Sequence, residues 1–83
     1  MSQKIRVEVR LYASLEKVRP RLKAGEPFFV ELESGTTARH LVETLGIATK
    51  RVQLIFVNGV ARELNHVLAE GARVALFPAI GGG

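Results

Sequence analysis

The 83-residue sequence contains no cysteine and no tryptophan, and all eight of its acidic residues are glutamate. Without cysteine, the chain has no disulfide, no thiolate metal site and no cysteine nucleophile of its own. It also lacks a long apolar run, because its longest one, residues 54–57, is far shorter than the ~20 residues of a membrane-crossing helix. No apolar leader follows the first residues, so we expect a cytoplasmic protein without a membrane partner.

The composition indicates one small globular domain, because 47% of the residues are hydrophobic and 24% are charged. The formal net charge is +4, and the basic residues are spread along the chain except in residues 17–23, hereafter the basic segment. Its basic residues are Lys17, Arg19, Arg21 and Lys23. Such charge permits a nucleic-acid or acidic partner, but we interpret the basic segment as a solvated loop.

Alternating hydrophobic residues predict two strands in the first half of the chain. Every second side chain in residues 4–12 is apolar, which is typical of a strand with one face buried. These apolar residues are Ile5, Val7, Val9 and Leu11. Residues 13–27 are highly charged and contain two prolines, so we expect a loop with one helical turn near residues 15–18. A second strand is expected over residues 28–33.

The middle of the chain has the pattern of a short helix. Apolar residues recur at the i, i+3, i+4 and i+7 positions of one helical face. They are Ala38, Leu41, Val42 and Leu45. Residues 34–37 supply a turn and an N-cap, and Gly46 stands where a helix commonly ends.

Three further strands are predicted after the helix. Residues 52–57 are almost entirely apolar, so we expect both faces of that strand to be at least partly covered. Asn58-Gly59 predicts a tight hairpin turn, which leads into a short return strand over residues 60–63. The last strand is expected over residues 73–77.

This order of elements indicates an α+β fold of the β-grasp type, in which a mixed sheet of four to five strands packs on one main helix. In that arrangement the first and last strands are neighbours in the centre of the sheet. We expect residues 1–77 to form the domain and residues 78–83, hereafter the tail, to be flexible and to end in Gly-Gly.

The alternation also predicts an aromatic pair on the sheet face away from the helix. In the alternation of the first strand, Tyr12 falls on the face opposite to the apolar residues. Phe77 likewise falls on the face opposite to Val74 and Leu76 of the last strand. If these strands are neighbours, both rings lie where the tail leaves the sheet, and Ala61 borders them. We interpret the pair as a docking surface; the alternative is that the rings only cap the open side of a small core.

Short motifs in a characteristic order carry a family resemblance. They are Leu11-Tyr12-Ala13, Gly35-Thr36-Thr37, Leu45-Gly46-Ile47, Val57-Asn58-Gly59, Glu70-Gly71 and the ending from Val74 to Gly83. Together they resemble the MoaD/ThiS sulfur-carrier proteins, which are ubiquitin-like β-grasp domains. The chain departs from that pattern at Gly71-Ala72, where Gly-Asp is usual, at Pro78-Ala79, where Pro-Pro is common, and in its basic net charge.

The resemblance implies a sulfur carrier, which is a protein co-substrate and not an enzyme. The Gly83 carboxylate, presented on Gly82, is then adenylated by a ubiquitin-activating-type adenylyltransferase that uses ATP, and converted to a thiocarboxylate. The sulfur comes from a donor such as a cysteine desulfurase or rhodanese and passes to a synthase subunit. The resemblance implies no bound cofactor, and its expected partner-binding residues are Tyr12, Ala61, Phe77, Pro78, Ile80 and Gly81.

Several alternatives stay open at this point. In order of expectation, the sulfur goes to molybdopterin or tungstopterin, then to the thiamine thiazole, and then to a thiolated tRNA or to cysteine. Two functions are alternatives to the sulfur carrier. One is a ubiquitin-like modifier conjugated through Gly83, and the other is a TGS-like RNA-binding module that uses the basic segment, although nucleic acid is not the expected partner. No metal site is expected, because His40 and His66 lack cysteine and any paired spacing.

Overall fold

The computed structural model describes residues 3–79, which form one five-stranded sheet, one α-helix and two 3₁₀ helices. In chain order these elements are β1 (Lys4–Leu11), a first 3₁₀ helix (Leu15–Val18), β2 (Phe28–Glu33), α1 (Ala38–Thr44), a second 3₁₀ helix (Thr49–Arg51), β3 (Val52–Val57), β4 (Val60–Arg62) and β5 (Arg73–Pro78). The strand order is β2-β1-β5-β3-β4. The predicted α+β β-grasp architecture is confirmed.

β5 is the central strand of the sheet. It pairs in parallel with β1, from Glu8 opposite Arg73 to Leu11 opposite Leu76, and antiparallel with β3. The remaining pairs of the described strands, β1 with β2 and β3 with β4, are also antiparallel. The prediction that the first and last strands are neighbours is therefore confirmed, and the chain leaves the sheet from its middle.

The hydrophobic core fills the space between α1 and one face of the sheet. The predicted alternating residues of β1 are all buried in it, as are the helix residues Ala38, Leu41 and Val42. Burial of each larger apolar side chain contributes about 1.5–3 kcal/mol. The hydroxyl of Thr37 accepts a hydrogen bond from the His40 N–H at 3.3 Å, so the predicted N-cap is confirmed as well.

β3 follows its prediction only in part, because its second face is half-buried at Phe56 and exposed at Leu54. Ile55 and Val57 are buried against α1, whereas Leu54 is 47% exposed on the other face. The expectation of cover on the second face is therefore confirmed at Phe56 and wrong at Leu54, because α1, the one α-helix within residues 3–79, shields only the other side of the sheet. A register shift between Val52 and Leu54 interrupts the pairing with β5. None of the helices within residues 3–79 is long and apolar enough to cross a membrane.

Candidate functional site

The sheet face that α1 leaves uncovered, hereafter the open face, carries an aromatic pair where β1 and β5 end. The Tyr12 N–H, directly after β1, donates a hydrogen bond to the Leu76 carbonyl at 3.2 Å, which places Tyr12 beside Phe77. The two rings stack with their centroids 4.6 Å apart and their planes 5° from parallel. The aromatic contact expected from the sequence is therefore present where the chain leaves the sheet.

Phe56 of β3 extends this pair into an aromatic cluster of Tyr12, Phe56 and Phe77. The rings of Phe56 and Phe77 meet edge to face, with centroids 5.7 Å apart and planes at 85°. Stacked and edge-to-face contacts are favoured arrangements of aromatic rings, and each stabilises by about 0.5–1.5 kcal/mol beyond the area that it buries. All three residues are half-buried, so their packing on one another fixes the shape of this end of the open face.

Smaller apolar residues surround the aromatic cluster. Leu54 lies opposite Phe77, and Ala75 lies opposite Phe56 across the pairing of β3 with β5. Ala61 lies opposite Phe56 on the other side, across the pairing of β3 with β4, and it is exposed. An apolar surface thus spans β5, β3 and β4 beside the point where the tail begins.

The segment 13–27 supports the aromatic cluster through Gly25. The Gly25 N–H donates a hydrogen bond to the Leu11 carbonyl at 2.8 Å, and its φ is +77°. A Cβ at this position would lie only 3.1 Å from Cε1 of Tyr12, so the Gly25 backbone lies directly against the ring. Glycine is the residue that permits both the left-handed backbone and the close approach.

The same segment is anchored to the sheet elsewhere. Leu15, in the first 3₁₀ helix, is completely buried in the core, and this helix contacts both β1 and β5. The guanidinium of Arg19 lies 4.5 Å from the centroid of the Phe28 ring. The basic side chains are exposed, as expected of a solvated loop, but the backbone that carries them is attached to the core.

Three of the four predicted partner-binding residues that the structure describes, Tyr12, Phe77 and Pro78, lie where the chain leaves β5, whereas Ala61 is level with Ala75 in the middle of that strand. Tyr12 and Phe77 are in contact, Ala61 lies two strands away from Phe77, and Pro78 is the last residue of β5, opposite Val52. The other predicted site residues are Ile80, Gly81, Gly82 and Gly83, and they lie outside the described residues. The binding and chemical roles of both groups stay predictions.

Sequence reasoning did not identify Leu54, Phe56 or Gly25 as parts of this surface. Leu54 and Phe56 share one phase of β3, but a strand with almost only apolar residues gives no sign of which phase faces the helix. Gly25 was recognised only as part of a loop, because its contact with Tyr12 depends on how the segment 13–27 folds back. No local sequence pattern predicts that this segment folds back onto the Tyr12 ring.

Charged residues occupy the rest of the open face. The Arg10 guanidinium pairs with the Glu8 carboxylate at 3.2 Å, and the Arg6 guanidinium lies 4.2 Å from the centroid of the Phe29 ring. A shallow depression of about 330 Å³ runs from Phe56 past Glu8 and Arg10 to Arg73. Exposed ion pairs stabilise by only about 0–1 kcal/mol, so a partner can rearrange them at little cost.

Candidate metal ligands are dispersed in the described part of the chain. His40 is exposed in the first turn of α1, and His66 is half-buried in the connection before β5. Within residues 3–79, no three or more histidine, aspartate or glutamate side chains lie close enough together to hold a metal ion. The described site offers shape and apolar contact to a partner.

Comparison with known proteins identifies the kind of domain. A family model described as Mut7-C ubiquitin matches residues 4–81, which is nearly the whole chain. No curated protein sequence matches it. The ubiquitin-like character inferred from the sequence motifs is therefore confirmed.

Solved structures with the same fold include proteins of Haloferax volcanii, Pyrococcus furiosus and Caldiarchaeum subterraneum. Small archaeal modifier protein 1 of Haloferax volcanii is 21% identical with a TM-score of 0.70, and the match covers 92% of this chain and 99% of that one. Molybdopterin converting factor subunit 1 of Pyrococcus furiosus is 22% identical with a TM-score of 0.69 and the same coverage. A ubiquitin of Caldiarchaeum subterraneum is 12% identical with a TM-score of 0.60, covering 98% of this chain and 100% of that one. Identities this low establish the shared fold alone.

Proposed function

Because this chain belongs to the Mut7-C ubiquitin family, we propose that it is a sulfur carrier whose Gly83 carboxylate is converted to a thiocarboxylate. The observation that carries the proposal is the aromatic cluster beside the end of β5, the strand that leads into the tail. A protein that docks on the cluster receives the tail at a fixed starting point. The chain then acts as a co-substrate in the cytoplasm and not as an enzyme.

The proposed chemistry starts from a carboxylate, which is a poor electrophile until one of its oxygens becomes part of a leaving group. An oxygen of the Gly83 carboxylate attacks the α-phosphorus of ATP in the partner's active site, and pyrophosphate leaves. A thiol attacks the inner sulfur of the donor's persulfide, which forms a disulfide between the thiol and the donor and releases hydrosulfide. This sulfide then attacks the acyl carbon. The bond from this carbon to the AMP oxygen breaks, AMP leaves with that oxygen, and a thiocarboxylate remains as a sulfur nucleophile for the next step.

The glycines of the tail suit this chemistry. The five residues that follow β5, residues 79–83, reach about 17 Å when fully extended, at roughly 3.3–3.6 Å per residue. Glycine has no side chain to obstruct a narrow channel, so Gly82 and Gly83 can pass a constriction that a larger residue would block. ATP is held by the partner, and the carrier needs no cofactor of its own.

The proposal names three partners by their chemistry. They are an adenylyltransferase of the ubiquitin-activating type, a sulfur donor such as a cysteine desulfurase or rhodanese, and a synthase subunit that accepts the sulfur. The structural neighbour from Pyrococcus furiosus carries the name of a molybdopterin converting factor subunit. That name supports molybdopterin as the first acceptor pathway to test, before tungstopterin and the thiamine thiazole.

A second candidate function is conjugation to other proteins. It is favoured by the structural neighbour that is named as a small archaeal modifier protein. The two functions share the activated Gly83 acyl group and differ only in the nucleophile that attacks it. A sulfur nucleophile gives the thiocarboxylate, whereas a lysine amine gives an isopeptide bond.

Intact-mass spectrometry tests the proposal. The chain is incubated with ATP, a sulfide donor and the ubiquitin-activating-type adenylyltransferase of the same genome. We expect one oxygen to be exchanged for one sulfur, and fragmentation of the C-terminal peptide to locate the exchange at Gly83. Deletion of Gly83, or Gly82→Val, should abolish the exchange and leave the thermal unfolding curve unchanged, because the described core closes without these residues.

Two results would contradict the sulfur-carrier proposal. One is exchange that fragmentation locates away from the C-terminal carboxylate, since the sulfur would then enter elsewhere. The other is an unmodified carboxylate after incubation with a partner that forms the acyl adenylate. Isopeptide-linked lysine adducts without any thiocarboxylate would favour the modifier function instead.

A further inference from the structure

Basic side chains lie on both sides of the point where the chain leaves β5, hereafter the tail exit. On one side, the basic segment contributes Lys17, Arg21 and Lys23. On the other side, the second 3₁₀ helix contributes Lys50 and Arg51. All five are exposed. The topology, and not the sequence, brings these two groups to the same end of the molecule.

The second 3₁₀ helix is joined directly to the tail exit. The Ala79 N–H donates a hydrogen bond to the Arg51 carbonyl at 3.3 Å. The next residue of the chain, Val52, lies opposite Pro78 in the sheet. Lys50 and Arg51 are therefore neighbours of the first residues that follow β5.

The basic segment is held at the other side of the tail exit. The first 3₁₀ helix contacts β5, and Gly25 at the far end of the loop lies against Tyr12, which stacks on Phe77. Buried Leu15 fixes the helix in the core. The charges of this segment thus occupy a defined place beside the tail exit.

Within residues 3–79, none of these cations takes part in an ion pair. The ion pairs within residues 3–79 are Lys4 with Glu33 at 3.0 Å and Arg10 with Glu8 at 3.2 Å. Lys4 begins β1 and therefore lies at the opposite end of the sheet, and Arg10 lies on the open face. The basic residues at the tail exit thus remain available to a partner.

The carboxylates of the segment 13–27 accept hydrogen bonds from the backbone. Oε1 of Glu16 accepts from the Ser14 N–H at 2.9 Å, and Oε1 of Glu26 accepts from the Lys23 N–H at 3.0 Å. Neither carboxylate lies within ion-pair distance of a described lysine or arginine. The region around the tail exit therefore keeps an excess of positive charge.

We propose that this positively charged rim docks on an acidic surface around the channel of the protein that takes up the tail. The inference rests on the proposed function, because it names the chemistry of the partner at the same site. An acidic surface attracts the rim over a distance of about one Debye length, ~8 Å at physiological salt, and so orients the tail toward the channel before contact.

An acidic protein surface fits the rim better than RNA. Proteins that bind single-stranded nucleic acid combine positive charge with exposed aromatic faces on which the bases stack. Here Phe77 stacks on Tyr12, Gly25 lies against the Tyr12 ring, and Phe56 packs edge to face on Phe77. The rings beside the rim are occupied by one another, and no open ring pair is presented to a base.

Charge reversal at matched positions tests the rim. The test variant is Lys17→Glu with Lys50→Glu, one residue from each side of the tail exit. The control variant is Arg39→Glu with Arg73→Glu, which changes the net charge equally at the far end of the sheet, where α1 and β5 begin. Circular dichroism establishes that both variants fold.

The measurement is the association rate with the ubiquitin-activating-type adenylyltransferase of the same genome, at low and at high salt. We expect the wild-type rate to fall with salt, the test variant to associate about tenfold more slowly at low salt, and the control to stay within about twofold of wild type. Equal association rates for the two variants, with oxygen–sulfur exchange intact in the wild type, would refute the docking role of the rim without contradicting the proposed function.

Two further outcomes also decide the matter. Absence of exchange in the wild type, with an adenylyltransferase that is active on its own carrier, overturns the proposed function and the rim with it. The wild type could instead bind a single-stranded RNA probe that the test variant no longer binds, while the variant's association with the adenylyltransferase is unchanged. That result would assign the rim to RNA and refute the proposal of an acidic protein partner.

Discussion

Replacement of Gly25 by alanine tests how the segment 13–27 supports the aromatic cluster. The left-handed backbone, with φ of +77°, costs an alanine roughly 1–2 kcal/mol. The new Cβ would lie 3.1 Å from Cε1 of Tyr12, so the ring must move away. That movement weakens the stacking on Phe77, which contributes about 0.5–1.5 kcal/mol. We expect a total loss of about 1.5–3.5 kcal/mol in the free energy of unfolding.

Gly71 provides a matched control. Its φ is +78°, and no atom lies within 4 Å of the position that a Cβ would take. Its N–H donates a hydrogen bond at 2.8 Å to the Arg6 carbonyl of β1, just as the Gly25 N–H donates at 2.8 Å to the Leu11 carbonyl. Gly71→Ala should therefore lose only the backbone contribution of about 1–2 kcal/mol.

The assay combines urea unfolding with tyrosine fluorescence. Tyr12 is the single tyrosine, and the chain has no tryptophan, so tyrosine emission in the folded state reports on this ring alone. We expect Gly25→Ala to change the emission and Gly71→Ala to leave it unchanged. Equal losses of stability in the two variants, with the same tyrosine emission, would refute the argument that Gly25 supports the ring.

Two further predictions concern the docking surface and the anchored segment. Tyr12→Asp and Phe77→Asp should each weaken binding to the adenylyltransferase in a titration. Phe29→Asp should not weaken it, because Phe29 is 55% exposed on the same face but lies on the edge strand β2. An equal loss of affinity in all three variants would refute the docking role of the aromatic pair. Leu15→Ala should lower the free energy of unfolding by about 2–5 kcal/mol, and Val18→Ala by less, because Val18 is only half-buried. Equal, small losses in urea unfolding would mean that the segment is not anchored by Leu15.

Much of the fold follows from local patterns. The period-two alternation of β1, the helical spacing of α1 and the Asn58-Gly59 turn each record the geometry of one element in neighbouring residues. The capping hydroxyl of Thr37 and the helical turn at Leu15–Val18 were predicted in the same way. Such features need no knowledge of the rest of the chain, and the structure confirms them.

The features that sequence analysis missed depend on distant parts of the chain. Nothing in β3 itself indicates that α1 covers Ile55 and leaves Leu54 exposed. Leu15 is the one fully buried residue in the highly charged segment 13–27, and its burial depends on how that segment folds back on the sheet. The contact of Gly25 with Tyr12 is likewise a consequence of the return of the loop.

The candidate site was predicted in part for the same reason. The neighbourhood of Tyr12 and Phe77 follows from two local alternations together with the strand order, and the structure places their rings in contact. Phe56 joins the cluster only through the pairing of β3 with β5. The gathering of Lys17 and Lys50 at the tail exit depends on the complete topology, so the sequence showed only one charged segment.

The central position of β5 has a consequence for biosynthesis. Of the described strands it is the last to leave the ribosome, and until it emerges the hairpins β1-β2 and β3-β4 have no strand to join them. A nascent chain of that length exposes two unpaired strand edges, which invite wrong pairing. Folding therefore waits for β5, and a translation product that stops before this strand cannot display the assembled aromatic surface.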